Sequence, residues 1–479
     1  MSMMLMDDLF NETHFSRFSS GGRTNIYGLA VVETPLSGKI PASPDFPSSL
    51  LSSMPNDNIY DIDNHHQHLP TSSNDNKYKH VFASSFYGVT CLVSAAGYWN
   101  TIELQLDKDI GEIVSMDSFY SDKTGLVLAF TTVHVLNNLK NTTEVEGQHQ
   151  FMLRIYSIND LGSISCMEDA LFKITEKCQK IPLTFTPMQL THTLIRKTCN
   201  NNNDSMSELC LLLCGTDSGV HLYTFVRGFE KQAWGEEAVQ PYFPFLSEMA
   251  SLKSNTILSL EIFDIGTKKI IAAGCQNGIL HLAILQQGSN NNKEGNYIQL
   301  EKPQFAPLFS PITSISIFTT STSEQNPGDV HMLVTCAVEQ VLIYRFVDRR
   351  GVKCPIQLRE CTQHDSVLCS HVMDVDWDGR NEVLVGTYGR ELLIYKQQES
   401  SGEGDDDLTF QLIWRRSFAH PIYRIDHLDL NQDGLDELVV TSQYGIHIFQ
   451  PNLHKAKELL SQMFEELDHL RVNYVNAIL

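Results

Sequence analysis

The sequence of 479 residues lacks the features that mark membrane and secreted proteins. No apolar run approaches the roughly 20 residues that a transmembrane helix needs. Residues 1–8 are apolar but include no basic residue, so they make a poor signal peptide. The 11 cysteines form no CxxC pair, and several, such as Cys210 and Cys214, lie in leucine-rich runs typical of a reduced protein core. These absences predict a cytoplasmic protein with no direct membrane insertion.

Positive charge and catalytic motifs are also scarce. The formal net charge is -22, and an acidic surface repels phosphate backbones, so nucleic acid is a poor direct partner. The sequence contains no GxSxG elbow, no P-loop, no GxGxxG and no HExxH motif. We therefore expect a protein that is not an enzyme and requires no cofactor. An active site assembled in space from distant residues is the alternative, since sequence motifs do not reveal such a site.

One unit recurs seven times along the chain. It is a short apolar strand, a turn that usually contains Gly, and a second alternating strand, as in residues 209–214 with 220–225 and residues 438–441 with 446–449. Alternating runs such as 312–317 precede most copies. Four short strands repeated seven times predict an all-β fold, a seven-bladed β-propeller with a C-terminal amphipathic helix, rather than a pair of β-sandwiches.

The predicted propeller covers residues 13–451, and the helix covers 452–479. The seventh unit has no fourth strand of its own, and residues 14–19 are the natural donor of one. Five polar segments are predicted to be disordered loop insertions because their composition buries too little apolar surface. They cover about 37–76, 200–207, 286–296, 319–329 and 397–407.

Two acidic loops carry the most specific motif. They start at Asp374 and Asp429, one repeat apart, and each runs into a predicted strand. Oxygen donors at positions 1, 3 and 5 can face one centre, Gly at position 6 permits the reversal, and a carboxylate at position 9 completes the shell that Ca²⁺ requires. The predicted ligands are Asp374, Asp376, Asp378 and Glu382 in the first loop and Asp429, Asn431, Asp433 and Glu437 in the second. A metal-free acidic turn is the alternative, and either role is structural.

The C-terminal segment predicts a helix capped by Asn452. Its apolar residues recur at spacings of three and four over more than three heptads. The predicted partner-binding residues are Leu453, Leu460, Leu467 and Leu470. Packing on the propeller's own surface is the alternative to partner binding.

Several segments together resemble the kaptin family. They are residues 15–20, 25–30, 274–278, 365–370, 374–396 and 412–418. The two acidic loops are also similar to the calcium loops of FG-GAP propeller repeats, although the Phe-Gly and Gly-Ala-Pro elements are absent.

The kaptin resemblance implies a scaffold subunit of a KICSTOR-like complex that includes an FG-GAP-repeat protein. Such a complex sits on the lysosomal surface and recruits a GTPase-activating complex for Rag GTPases. It thereby restrains TOR complex 1 when nutrients are scarce. The same family is described as actin-associated, so an actin-filament-associated cytoskeletal protein is the alternative function. The acidic charge disfavours it, because actin is itself acidic.

Overall fold

Seven antiparallel sheets, each built mainly from four strands, form the described part of the chain. The computed structural model describes residues 10–18, 22–36, 78–95, 98–107, 110–136, 148–158, 164, 166–198, 205–227, 232–250, 256–287, 297–299, 302–320, 328–338, 341–398 and 409–478. In the strand order, each sheet is a blade whose first strand, here called a, is followed by strands b, c and d. The predicted seven-bladed β-propeller is confirmed.

The blades follow one another in chain order after an N-terminal strand, β1 (Phe10–Arg17). Blade 1 contains β2 (Leu29–Thr34), β3 (Tyr78–Ser85), β4 (Gly88–Ala95) and β5 (Tyr98–Glu103). Blade 2 contains β6 (Glu112–Ser121), β7 (Gly125–Leu136), β8 (Gln148–Ile158) and β9 (Cys178–Leu183). Blade 3 contains β10 (Pro187–Thr198), β11 (Ser205–Gly215), β12 (Val220–Arg227) and β13 (Gln232–Glu237). Blade 4 contains β14 (Ile257–Ile265), β15 (Lys268–Cys275), β16 (Ile279–Gln287), β17 (Tyr297–Gln299) and β18 (Gln304–Pro307).

The last three blades carry both acidic loops and the start of the C-terminal helix. Blade 5 contains β19 (Ile312–Thr319), β20 (Val330–Cys336), β21 (Val341–Tyr344) and β22 (Ile356–Gln357). Blade 6 contains β23 (Val367–Met373), β24 (Glu382–Thr387), β25 (Glu391–Gln398) and β26 (Thr409–Ser417). Blade 7 contains β27 (Ile422–Leu428), β28 (Glu437–Ser442) and β29 (Gly445–Pro451), and β1 is its fourth strand.

Short helices join or interrupt the blades, and a long helix follows blade 7. They are α1 (Met167–Ile174), α2 (Pro244–Ala250), α3 (Val347–Arg350), a 3₁₀ turn (Cys361–Gln363) and α4 (Leu453–Ile478). Helix α1 buries Met167, Ala170, Leu171 and Ile174, at helical spacing, against the core between blades 1 and 2. Among the described residues, no helix is both long and apolar enough to cross a membrane.

The core lies between neighbouring blades. Every residue of the b strands β20, β24 and β28 is buried. In β24, Leu384 packs with Leu438 of blade 7, whereas Val383 packs with Leu333 of blade 5. A b strand therefore buries both faces, which explains why these segments read as near-continuous apolar runs rather than as alternating ones.

Strand β1 closes the ring, as predicted from residues 14–19. It pairs antiparallel with β29, from Phe10 opposite Pro451 to Arg17 opposite Gly445. The strand begins before the predicted boundary at residue 13, because Phe10 is buried in the apolar cluster between blades 6 and 7. The N-terminus therefore supplies the strand that the seventh repeat lacks.

The five predicted loop insertions lie mostly outside the described residues. Where their ends are described, strands extend into them: residues 205–207 belong to β11, 286–287 to β16, 319 to β19 and 397–398 to β25. Main-chain pairing explains this, since Ser205 pairs with Thr198 whatever its side chain.

Removing the N-terminal strand should open the ring. Deletion of residues 1–20 leaves the edge of β29 unpaired, and an exposed strand edge promotes association between chains. We expect a lower melting temperature and aggregation on size-exclusion chromatography. Deletion of residues 1–9, which keeps β1, is the matched control and should behave as the full chain. Equal behaviour of the two deletions would contradict the closing role of β1.

Candidate functional site

The two acidic loops join strand a to strand b in adjacent blades. Loop I (374–382) links β23 to β24 in blade 6, and loop II (429–437) links β27 to β28 in blade 7. Each loop is therefore anchored at both ends by strands that pack in the core. Its last residue, a Glu, is the first residue of a fully buried b strand. Both loops lie on the same end of the propeller, here called the a–b face, because every strand a runs in the same sense.

Loop I is folded around the carboxylate of Asp374. Its Oδ1 accepts a hydrogen bond of 3.1 Å from the Asp378 backbone N–H, and its Oδ2 accepts one of 2.8 Å from Gly379. Gly379 has φ of 81° and Trp377 has φ of 59°, so the reversal uses two left-handed residues. Oxygens of Asp374, Asp376 and Glu382 lie within 4.8 Å of one another. The sequence-predicted convergence of these three side chains is present.

A lysine that the sequence analysis did not select lies among these carboxylates. The Lys396 ammonium, on β25, is 2.5 Å from Asp376 Oδ2, 2.7 Å from Asp378 Oδ2 and 3.2 Å from Glu382 Oε1. Three of the four predicted calcium ligands of loop I therefore already share a cation supplied by the chain. A metal ion and this ammonium would compete for the same oxygens.

The carboxyl group of Glu382 is the most deeply placed group of loop I. Its side chain is 1% exposed, and its Oε2 accepts a hydrogen bond of 3.0 Å from the Val375 backbone N–H. Burial and, to a smaller extent, the Asp376 carboxylate raise the pKa of Glu382, Lys396 opposes them, and the net pKa is about 8. The ammonium thus offsets the cost of burying a carboxylate in this turn.

Loop II has the same backbone fold. Asp429 accepts hydrogen bonds from the backbone N–H groups of Asp433, at 3.1 Å, and Gly434, at 3.0 Å. Gly434 has φ of 90° and Gln432 has φ of 63°, matching Gly379 and Trp377 of loop I. Asn431 Oδ1 also accepts from the Asp433 N–H at 2.8 Å.

Loop II has no lysine at the position that Lys396 occupies beside loop I. In blade 6, Tyr395 pairs with Val383, and Lys396 is the next residue. In blade 7, Phe449 pairs with Leu438 in the same way, and the next residue is Gln450. Among the described residues, Lys79 lies 3.9 Å from Asp436 Oδ1 of loop II, but no lysine or arginine forms an ion pair with Asp429, Asp433 or Glu437. Glu437 is fully buried, and its Oε2 accepts from the Leu430 N–H at 2.7 Å, while its Oε1 has no hydrogen-bond partner.

Helix α4 leaves blade 7 on the a–b face, because strand c runs in the same sense as strand a. Asn452 caps it: its Oδ1 accepts from the His454 N–H at 3.1 Å. The side chains of Leu453, Leu460 and Leu467 are 61%, 52% and 57% exposed. Met463 and Phe464 are also exposed. The predicted seam is therefore not covered by the described part of the propeller, and the side chain of Leu470 lies outside the described residues.

Replacing the loop I lysine should destabilise the propeller in the absence of metal. Lys396→Gln leaves buried Glu382 and its neighbours without a cation, which costs about 3–5 kcal/mol for a fully buried pair. Because the Lys396 side chain is 23% exposed, we expect a loss on the order of 2 kcal/mol in unfolding free energy after solvent screening. The control Lys455→Gln breaks a pair with Glu458, whose side chain is 49% exposed rather than buried, and should change little. Urea unfolding in chelator measures both, and an unaffected Lys396→Gln chain would contradict the stabilising role.

Comparison with known proteins identifies the family. The sequence model of the family described as "KICSTOR complex protein kaptin" matches residues 102–461. A mouse (Mus musculus) protein of the same description is 34% identical over 358 residues, which cover 73% of this chain and 75% of the mouse protein. The match spans the blades that carry loops I and II and the first turns of α4. The chain thus belongs to the family of the KICSTOR complex protein kaptin.

Proposed function

We propose that this chain is a non-enzymatic scaffold subunit of a KICSTOR-like complex that acts in nutrient-dependent negative regulation of TOR complex 1 at the lysosome. The family match is the observation that carries the proposal, because the mouse relative is described as a KICSTOR complex protein. The propeller supplies a rigid, closed frame, and α4 supplies an uncovered apolar seam. A frame with one exposed docking element suits a subunit whose work is to hold other proteins.

The proposed partner of α4 is another subunit of the complex, an FG-GAP-repeat protein. Exposed side chains at Leu453, Leu460 and Leu467 lie on one side of the helix and would remain in water in the isolated chain. Apolar surface of this kind marks an interaction site, since leaving it in water is unfavourable. Through the assembly the chain would meet the GTPase-activating complex for Rag GTPases and sit peripherally on the lysosomal membrane.

The helix is tested by a charge substitution in its seam. In the double variant Leu460→Asp and Leu467→Asp, two unpaired charges enter an apolar contact, which is strongly unfavourable. Affinity purification from cells should show loss of the FG-GAP-repeat subunit, and the melting temperature should stay near wild type. The control Ser461→Asp with Gln462→Asp adds the same charge beside the seam and should keep the partner. Unchanged complex formation in the seam variant would rule out the docking role.

A complementary measurement separates the scaffold from the cytoskeletal alternative. Co-sedimentation of the purified chain with actin filaments would favour the actin-associated function. Retention in the supernatant, together with co-purification of the complex, supports the scaffold. The net charge of -22 favours the second outcome, because actin filaments are also acidic.

We further propose that loop II binds a structural Ca²⁺ and that Lys396 weakens calcium binding at loop I. The support is the unpartnered Oε1 of fully buried Glu437, next to a turn built on Asp429 and Asp433; the carboxylate oxygens of these three residues do not all lie within 4.8 Å of one another, so the turn would tighten around the ion. Carboxylate and amide oxygens are the donors that Ca²⁺ prefers. The ion would hold the turn and would not take part in chemistry.

Calorimetry with calcium can distinguish the two loops. We expect one bound ion in the wild-type chain and none after Asp433→Ala, because that change removes a ligand of loop II. Lys396→Gln places in loop I the residue type that loop II has at Gln450, so a second ion should bind. Calcium should also raise the melting temperature of the wild-type chain. Absence of both a binding heat and a chelator effect would refute the proposal, and an unchanged stoichiometry in Lys396→Gln would refute the competition.

A further inference from the structure

Strand a is the innermost strand of each blade. The a strands of blades 4 to 7 each place one side chain in the same layer of the central channel. In each of β14, β19, β23 and β27 the pairing with strand b shifts by one residue near the start and then resumes. Counted from that shift, the same position holds Glu261, Ser316, His371 and Asp426, opposite Ala272, Leu333, Leu384 and Val439. These four residues follow one another at one-repeat intervals, although nothing in the sequence alone marks them as a group.

Two neighbouring blades bring a set of metal-ligand types together in this layer. His371 Nε2, from blade 6, lies 2.5 Å from His427 Nδ1 of blade 7 and 3.9 Å from Asp426 Oδ1. Ligand atoms of His371, Asp426 and His427, here called the channel cluster, all lie within 4.8 Å of one another. Two imidazole nitrogens and one carboxylate oxygen thus converge on a volume the size of a single ion.

The channel cluster faces open space rather than packed core. It lines a cavity of about 670 Å³ together with Glu261 and Arg424. The cavity also touches Asn381 at the end of loop I, so it opens toward the a–b face. An ion can therefore reach the cluster without unfolding of a blade. The cavity lining contains three carboxyl groups, those of Glu261, Asp264 and Asp426, and one guanidinium group, that of Arg424.

Contacts outside the cluster position its two histidine and aspartate side chains only in part. His427 presents Nδ1 to the cluster, and its other nitrogen, Nε2, lies 3.8 Å from Asp436 Oδ2, which is an ion-pair distance and too long for a hydrogen bond. Asp426 in turn is held by the His427 backbone N–H, which donates to its Oδ1 at 2.9 Å.

We propose that His371, His427 and Asp426 bind a divalent transition-metal cation, with Zn²⁺ preferred, at the mouth of the channel. Mixed imidazole and carboxylate donors select Zn²⁺ over Ca²⁺, which takes oxygen ligands. Zinc–nitrogen bonds of about 2.0–2.1 Å in a tetrahedral site separate two nitrogens by roughly 3.3 Å, so the two rings move apart slightly on binding. The ion joins the innermost strands of blades 6 and 7 and leaves a fourth position open to the cavity.

Zinc titration of the chelator-treated full chain tests the site. We expect one ion to bind in competition with a chromophoric chelator, and Co²⁺ to give the visible absorption of a tetrahedral site. His371→Gln and His427→Gln should each weaken binding by at least about tenfold, and Asp426→Asn should weaken it while preserving side-chain shape. The control His454→Gln, at an exposed histidine on α4, should leave binding unchanged.

Two results would overturn the site. Equal zinc affinity in wild type and His371→Gln would assign the ion to other residues. No zinc binding and no rise in melting temperature with zinc would reduce the contact to a hydrogen bond between the two histidines. Glu437→Gln should abolish calcium binding at loop II and retain zinc, which separates this site from loop II. If His371→Gln unfolds, Asp426→Asn and the cobalt spectrum of the wild type decide the question.

Discussion

Pairing of β1 with β29 is the interaction on which the whole ring depends. Blade 7 has three strands of its own, and its fourth comes from the opposite end of the chain. Side chains reinforce the main-chain ladder: Glu12 Oε1 is 2.7 Å from His447 Nδ1, and its Oε2 is 2.5 Å from Arg416 of blade 6. The N-terminal strand therefore ties the last two blades together as well as completing one of them. Both acidic loops and the channel cluster lie in those two blades, so their geometry rests on this closure.

Loops I and II have the same backbone turn and a buried Glu, but they differ in the charge of the residue on strand c beside the turn. In both turns the backbone folds around an Asp carboxylate, which accepts hydrogen bonds from backbone N–H groups. Each turn ends on a buried Glu. Lys396, which lies on β25, pairs with the carboxylates of loop I. The equivalent residue in blade 7, Gln450, carries no charge. Burial and the neighbouring Asp433 and Asp429 carboxylates raise the pKa of Glu437 to about 7, and the pKa of Glu382 is raised to about 8 even beside Lys396, so both turns hold a buried carboxyl group whose charged form is disfavoured.

The a–b face carries the proposed metal sites and the proposed docking helix. Strands a and c run in the same sense in an antiparallel blade, so the a–b turns and the end of β29 lie at one end of the propeller. Loop I, loop II, the mouth of the channel and the first turn of α4 consequently share that end. A partner that docks on α4 would approach the acidic loops, and the stiffness of those loops would shape its binding surface.

The sequence by itself determined the repeat number, the closing strand, the turn chemistry of both loops and the amphipathic helix. Each rests on local periodicity or on residue types at fixed spacing within one segment, such as Gly379 and Gly434 at the reversal. Only the tertiary structure decided which residues meet across segments. Lys396 lies on β25, whereas the carboxylates of loop I lie in the turn and at the start of β24. A lone lysine near a strand end gives no local signal, although comparison with Gln450 one repeat later was available. His371 and Asp426 meet because neighbouring blades place equal register positions side by side in the channel. That proximity is set by the closed ring, which no single segment of the sequence encodes.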